Sequence, residues 1–184
     1  ISGYAEGLRE SVNDDEESRN FYCDVIMDET DKMNRMVMKL LSLNKLEFGN
    51  DVVEMGRFDL TEVISGVIAS SALLAQKNNV TLQFDYDKPV YVSGDMFKIE
   101  EVVTNYISNA INHCIRDGII TVKYIMTDKL VRVSVFNPGE VIPKESLDKI
   151  WTKFYKVDKA RTREYGGSGI GLSIVKAIME SHHR

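Results

Sequence analysis

Between Glu16 and about Phe48 the chain has neither proline nor glycine, and its apolar residues recur every seven positions. Ile26, Met33 and Leu40 form one series, Met36 and Leu43 repeat at the same interval, and Val37 and Leu46 widen the stripe. This spacing predicts a single long helix with a bundle or coiled-coil face, and Asp28, Glu29, Asp31, Lys32 and Arg35 lie mostly off that face. The methionines of the stripe read as core packing. Ahead of it, Tyr4, Leu8 and Val12 fall one per turn and predict a short helix over Ile1 to Val12; Asn13-Asp14-Asp15 breaks it and can cap the next. Such a hairpin cannot bury its own stripe, and the simplest partner is a second copy, giving a four-helix bundle.

The periodicity changes after Gly49-Asn50-Asp51. Val52 to Phe58 reads as a strand. Asp59 with Glu62 three residues on opens a helix from Leu60 to about Lys77, and Asn78-Asn79 ends it. Val80, Leu82 and Phe84 alternate with polar residues as in a half-buried strand, and Val90-Tyr91-Val92 is another after the Lys88-Pro89 turn. Asp95 caps a helix over about Met96 to Cys114, with a core stripe of Ile99, Val102, Val103, Tyr106, Ile107, Ala110 and Ile111. Ile119–Met126 and Leu130–Phe136 form a hairpin, and Asn137-Pro138-Gly139-Glu140 is a turn after it. Pro143 opens a short helix from Lys144 to about Trp151. The formal charge of −5 argues against nucleic acid as a partner. Cys23 and Cys114 are far apart and form no CxxC, so they read as thiols of a reducing compartment.

Two stretches carry the candidate chemistry. Gly166-Gly167-Ser168-Gly169-Ile170-Gly171-Leu172 runs into a helical pattern, Leu172 to Met179. Glycines allow close approach of another molecule, and a helix N-terminus offers unpaired N–H groups to a phosphate chain. The second is the line Glu101, Asn105, Asn109 and His113, spaced by four along the helix after Asp95. Two asparagines in mid-helix need a reason, since Asn has mediocre helix propensity. One account is solvated polar residues. The other is ligation of Mg²⁺, a hard cation that takes carboxamide oxygens while keeping water and phosphate oxygens. Between hairpin and glycine loop, Lys153, Lys156, Lys159, Arg161 and Arg163 read either as a solvated loop or as a mobile basic lid over phosphates.

Taken in order, these segments resemble one family. Asn105-Tyr106-Ile107-Ser108-Asn109-Ala110 matches its N-box, and Asn137-Pro138-Gly139-Glu140-Val141-Ile142-Pro143 resembles its G1 box. Phe154-Tyr155-Lys156-Val157-Asp158 looks like its F-box, and Gly167-Ser168-Gly169-Ile170-Gly171-Leu172 matches its G2 box. The set resembles the catalytic ATP-binding domain of sensor histidine kinases, within the GHKL ATPase superfamily. The resemblance implies an α+β fold: a two-layer α/β sandwich, a mixed sheet backed by helices, over residues 52–184. Residues 1–48 resemble part of a dimerisation and histidine-phosphotransfer hairpin. ATP and Mg²⁺ are the implied cofactors. Asn109 would coordinate the metal, with Asn105 supporting it, and Lys156 would meet the phosphates. Asn137 and Gly139 would receive the adenine, with Tyr155 over the nucleotide. Gly167, Ser168, Gly169, Ile170, Gly171 and Leu172 would cradle the phosphates, and His113 reads either as a packing residue or as a further phosphate contact.

The implied function is transfer of the ATP γ-phosphoryl group to a histidine, for relay to a response-regulator aspartate. The implied partners are a second copy of the chain and a receiver domain. The departures favour an alternative, a catalytically weak nucleotide-gated interaction or phosphatase module. Asn137 stands where the family usually has Asp, Val141 replaces a common second glycine, and Asn112 holds a position often Lys. None of His113, His182 or His183 lies where the family's phosphoacceptor would be, ahead of Ile1-Ser2-Gly3-Tyr4. The chain begins at Ile1. It is therefore expected to be the cytoplasmic piece of a longer bacterial membrane protein, with any anchor in missing N-terminal segments.

Overall fold

In a computed structural model of the chain, the described residues are 1–10, 15–48, 52–157 and 168–182. They divide into two units, Ile1–Lys45 and Leu46–Arg184. No helix among the described residues is long and apolar enough to cross a membrane.

The first unit is helical. Helix α1 (Ser2–Glu10) precedes helix α2 (Glu16–Glu47), which runs 32 residues without interruption, as the absence of Pro and Gly requires. Asp15 begins α2: its carboxylate accepts from the Ser18 amide at 3.2 Å and from the Ser18 hydroxyl. Gly7 lets α1 approach α2, since a Cβ there would fall 2.6 Å from the Tyr22 ring, and Tyr4 meets Tyr22 edge-to-face at 5.4 Å. Met33, Met36 and Val37 of the stripe are exposed, Ile26 and Leu40 are half-buried, and Leu43 and Leu46 at its end are buried; Met27, Met38 and Leu41 beside it are also exposed.

The second unit is built on a three-stranded mixed sheet. Strand β2 (Thr81–Phe84) pairs in parallel with β4 (Ile119–Met126), which pairs antiparallel with β5 (Val131–Phe136). The register aligns Leu82 with Ile120 and Phe84 with Val122; Val122 in turn faces Val135, and Tyr124 faces Val133. Alternation therefore puts every one of these on the same side, where α3 (Leu60–Ser70) and α5 (Met96–His113) cover them. Ile64, Ile107, Ile111, Ile120 and Val122 are at the centre of that core. A separate two-stranded ribbon pairs β1 (Gly56–Asp59) with β3 (Tyr91–Gly94).

Several elements differ from their sequence expectation. The strand expected over 52–58 is confined to Gly56–Asp59. Its partner β3 ends at Gly94, where α5 is about to begin, and the Glu54 amide donates to the Asp95 carboxylate at 3.1 Å instead. The helix expected over 60–77 breaks at Ser71 into α3 and α4 (Ala72–Lys77). The Ser70 hydroxyl bonds the Val67 carbonyl at 2.9 Å, an alternative that weakens the helical ladder. α4 ends as the Asn pair implied: Asn79 is left-handed, φ +51, with Asn79 N–H to Gln76 O and Val80 N–H to Ala75 O, both 3.0 Å. The helix expected over 144–151 is only a 3₁₀ turn, Lys144–Ser146, because the amides there mostly bond three residues back.

Two contacts place the long helix α5. At its start Asp95 accepts from the Lys98 amide at 3.2 Å as well as from Glu54, with the Lys98 ammonium 3.5 Å away. At its end the turn after β5 is docked: Ile115 N–H donates to Pro138 O at 2.9 Å, and a Cβ on Gly139 would overlap the His113 carbonyl oxygen. Gly139→Ala is thus expected to cost about 1–3 kcal/mol, because the obstacle is backbone that cannot swing aside; a denaturant midpoint unchanged from wild type would contradict this packing. Burial pushes the Asp95 carboxyl up, but the Glu54 and Lys98 amides and the Lys98 ammonium bring it below its ordinary value of 3.8. Its charge therefore stabilises the fold fully above that value, and the benefit is lost as pH falls through the lowered native one. The stability gap between wild type and Asp95→Asn is expected to hold from neutral pH to about 4, then close, as followed by urea unfolding across pH.

Candidate functional site

The site is assembled along α5. A step of four residues turns a helix by 400°, so Glu101, Asn105, Asn109 and His113 drift about 40° at each step. The environment follows that drift. Asn105 is 7% exposed, Asn109 is half-buried, and His113, the last residue of α5, is exposed. The Asn105 amide group donates to the Glu101 carbonyl at 2.9 Å. That bond turns its carboxamide oxygen toward helix α6 (Gly171–Ser181), where a Cβ on Gly171 would fall 2.8 Å from it. Only glycine lets the start of α6 come this close to the buried asparagine.

The first residues of α6 carry no side-chain cap: Ile170 is its N-cap, with no side-chain hydrogen bond. The first amides of a helix have no intrahelical acceptor, so this terminus presents donors beside Asn105. Ile170 is wholly buried and offers only its backbone; Ser173 is buried, its hydroxyl bonded to Ile170 O at 2.7 Å. Leu172 and Ser168 are half-buried. Gly169 is left-handed, φ +70, and a Cβ there would meet Phe154 backbone at 3.0 Å. Phe154 is itself left-handed, φ +63, and its amide donates to Gly169 O at 2.8 Å. The segment before the glycine loop and the loop's last residues are therefore locked together by backbone. Gly167, and Lys159, Arg161 and Arg163 of the expected lid, lie outside the described residues.

The remaining residues fall around this frame. Tyr155 is half-buried and its hydroxyl donates to Ser146 Oγ at 2.9 Å, which seats it on the 3₁₀ turn. Lys156 is half-buried beside it. Asn137 is half-buried at the head of the turn that docks on the end of α5. Asn109 thus stands one helical turn, about 6 Å, from Asn105 at the glycine loop and equally far from His113 at the Gly139 turn. No hydrogen bond of its carboxamide is found among the described residues. Asn112 faces elsewhere: with Lys77, Asn78, Asn79, Ile111, Cys114 and Arg116 it lines an open recess of about 230 Å³. Burial raises both the Cys114 thiol, despite the Ile115 amide, and the Tyr106 hydroxyl. Among the described residues no group of three or more His, Cys, Asp or Glu could hold a metal ion. A cation here would be held by carboxamide and ligand oxygens.

The sequence reading missed the left-handed Phe154 and the contact of His182 with the start of α5, where the His182 ring accepts from the Asp95 amide at 3.0 Å. Neither has a local signal, since each depends on a partner at least 15 positions away.

Comparison with known proteins agrees with this geometry. Residues 94–184 match the family described as Histidine kinase-, DNA gyrase B-, and HSP90-like ATPase. The sensor histidine kinase WalK of Bacillus subtilis (strain 168) is 31% identical over 189 residues, which is 99% of this chain and 30% of that protein. The chain thus spans under a third of the length of that relative. The catalytic domain of histidine kinase ThkA superposes with a TM-score of 0.62 and 32% identity, over 70% of this chain and 82% of that domain. ThkA in complex with the response regulator TrrA aligns over 99% of this chain and 50% of that one, with a TM-score of 0.75 and 26% identity. The ordered boxes, the mixed α/β fold and these likenesses converge: the chain belongs to the sensor histidine kinases and carries their catalytic, ATP-binding domain.

Proposed function

We propose that this chain supplies the phosphoryl-donating half of a two-component sensor: it binds Mg-ATP and passes the γ-phosphoryl group to a histidine that is none of its own three. The observation that carries the reading is the abutment of Asn105 on Gly171, with Asn109 midway between the glycine loop and the Gly139 turn. A nucleotide laid along α5 would have its base at Asn137 and Gly139 and its phosphates at the start of α6. Residues 52–184 would be the catalytic domain and residues 1–48 part of a dimerising hairpin. The exposed stripe residues Met33, Met36 and Val37 support a second copy as its partner. The complex of ThkA with TrrA supports a receiver domain as the acceptor in the next step. A membrane anchor would belong to the parts of the relatives that this chain does not span.

Asn109 fits a magnesium ion. One carboxamide oxygen without a hydrogen bond among the described residues is the kind of single protein ligand that Mg²⁺ uses when water and phosphate oxygens complete its shell. When bound, the ion would neutralise charge on the phosphates. Asn105 would hold the start of α6 in place, the amides of 169–173 would receive phosphate oxygens, and Lys156 would add a positive charge. No covalent group of this chain is needed, since phosphoryl transfer rests on alignment and charge stabilisation. A weaker, nucleotide-gated module is the second reading, motivated by Asn137: an amide oxygen accepts from an adenine amino group without the assistance of a charge.

Calorimetry with ADP and Mg²⁺ tests the pocket. Asn109→Ala is expected to weaken binding at least tenfold while leaving the fold intact. Asn137→Asp is expected to tighten it several-fold, by about 1 kcal/mol; no change in either variant would sink the assignment. Incubated with Mg-ATP, the chain alone should acquire no acid-labile phosphate. It should label a separate polypeptide carrying the missing histidine, and failure there with normal binding would favour the second reading.

A further inference from the structure

Helices α5 and α6 pack against each other, with Ile174, Ala177 and Ile178 of α6 buried, and a specific contact marks each end of α6. Near its start, Gly171 lies against Asn105. Just past its end, the ring of His182 reaches Asp95, the N-cap of α5. The helices therefore run antiparallel, and the two contacts are about 15 Å apart, ten residues along α5. Apolar packing alone lets one helix slide on another; a directional hydrogen bond fixes the register.

The two hydrogen bonds of His182 select one tautomer of its neutral ring. Ile178 O, 2.9 Å from Nδ1, can only accept, so Nδ1 carries the proton. The Asp95 N–H, 3.0 Å from Nε2, can only donate, so Nε2 is bare. The ring thus joins the last turn of α6 to the first residue of α5. It is also seated by Gly94, where a Cβ would lie 3.5 Å from the ring. The same Asp95 whose side chain starts α5 gives its backbone donor to α6.

We infer that His182 is a positioning residue for nucleotide binding: its Nε2–Asp95 bond fixes the register of α6 along α5, and so the placement of the loop amides relative to Asn109. This rests on the reading that Asn109 and the loop hold the nucleotide. With the bond made, the loop amides are already placed. With it broken, α6 is free to shift along α5 over its apolar contact face, and some binding energy goes into restoring the alignment.

Two variants separate this role from simple support of the helix end. Gln places an acceptor oxygen the same number of bonds from Cα as Nε2; Asn places its amide where Nδ1 stands and cannot reach Asp95. ADP affinity in the presence of Mg²⁺, measured well below the melting temperature, is expected to fall between about threefold and tenfold in His182→Asn. It should return to within about twofold of wild type in His182→Gln. Equal affinities in the two variants, or a lowered melting temperature with affinity unchanged, would overturn the inference. Coupling is reciprocal, so the unmodified chain offers a second reading: ADP is expected to slow hydrogen exchange of the Asp95 amide. Exchange unaffected by bound ADP would overturn the inference even if His182→Asn failed to fold. Asn109→Ala in the same assay tests the underlying reading; wild-type affinity there would fault the nucleotide site and not the clamp.

Discussion

The approach of Gly171 to the carboxamide of Asn105 is the contact on which the rest of the second unit depends. It brings the uncapped end of one helix against the buried middle of another, and only a residue without a Cβ permits it. Burying a carboxamide is unfavourable unless its groups are bonded. Here the amide nitrogen is satisfied by the Glu101 carbonyl one turn back, so the asparagine sits in the helix at modest cost and its oxygen stays directed at α6. An apolar residue in the same place would pack as well but would leave nothing polar beside the unpaired amides.

The other parts can be understood as fixing what surrounds that contact. Leu82, Phe84, Ile120, Val122, Val133 and Val135 give α5 a continuous apolar floor through the register of three strands. The Gly139 turn closes on the helix end, and the Asp95 network holds its beginning. Phe154 takes a left-handed conformation that costs a non-glycine residue on the order of 1 kcal/mol or more. Its bond to Gly169, also left-handed, offsets part of that, and the pairing ties the segment carrying Tyr155 and Lys156 to the glycine loop. The strain is therefore held in place by backbone bonding at the glycine loop.

The first unit follows a different logic. Its helices form because their interiors lack breakers and because Asp15 caps the longer one. Its apolar stripe is left largely open along 33–41, which a stable soluble surface rarely tolerates over such a length. The helix is thus determined locally, whatever covers its stripe.

Periodicity alone determined the long helix, the alternating strands, the α5 stripe and the capping roles of Asp15, Asp59 and Asp95, because each depends on neighbours within a turn or a strand pair. Motif order alone determined the family, since Asn105, Asn109 and the glycines stand at characteristic positions whatever their surroundings. What periodicity got wrong lies where backbone groups found distant partners. The strand at 52–55 surrendered Glu54 to Asp95, and the helix after Pro143 gave way to 3₁₀ bonding. Only the tertiary structure decided that Asn105 rather than Asn109 meets Gly171, that Asn112 turns to a recess by Lys77, and that His182 closes on Asp95. The 40° drift of a four-residue step sends residues that read as one line toward different neighbours, and which neighbour each meets is set by how helices and sheet pack, not by any local pattern.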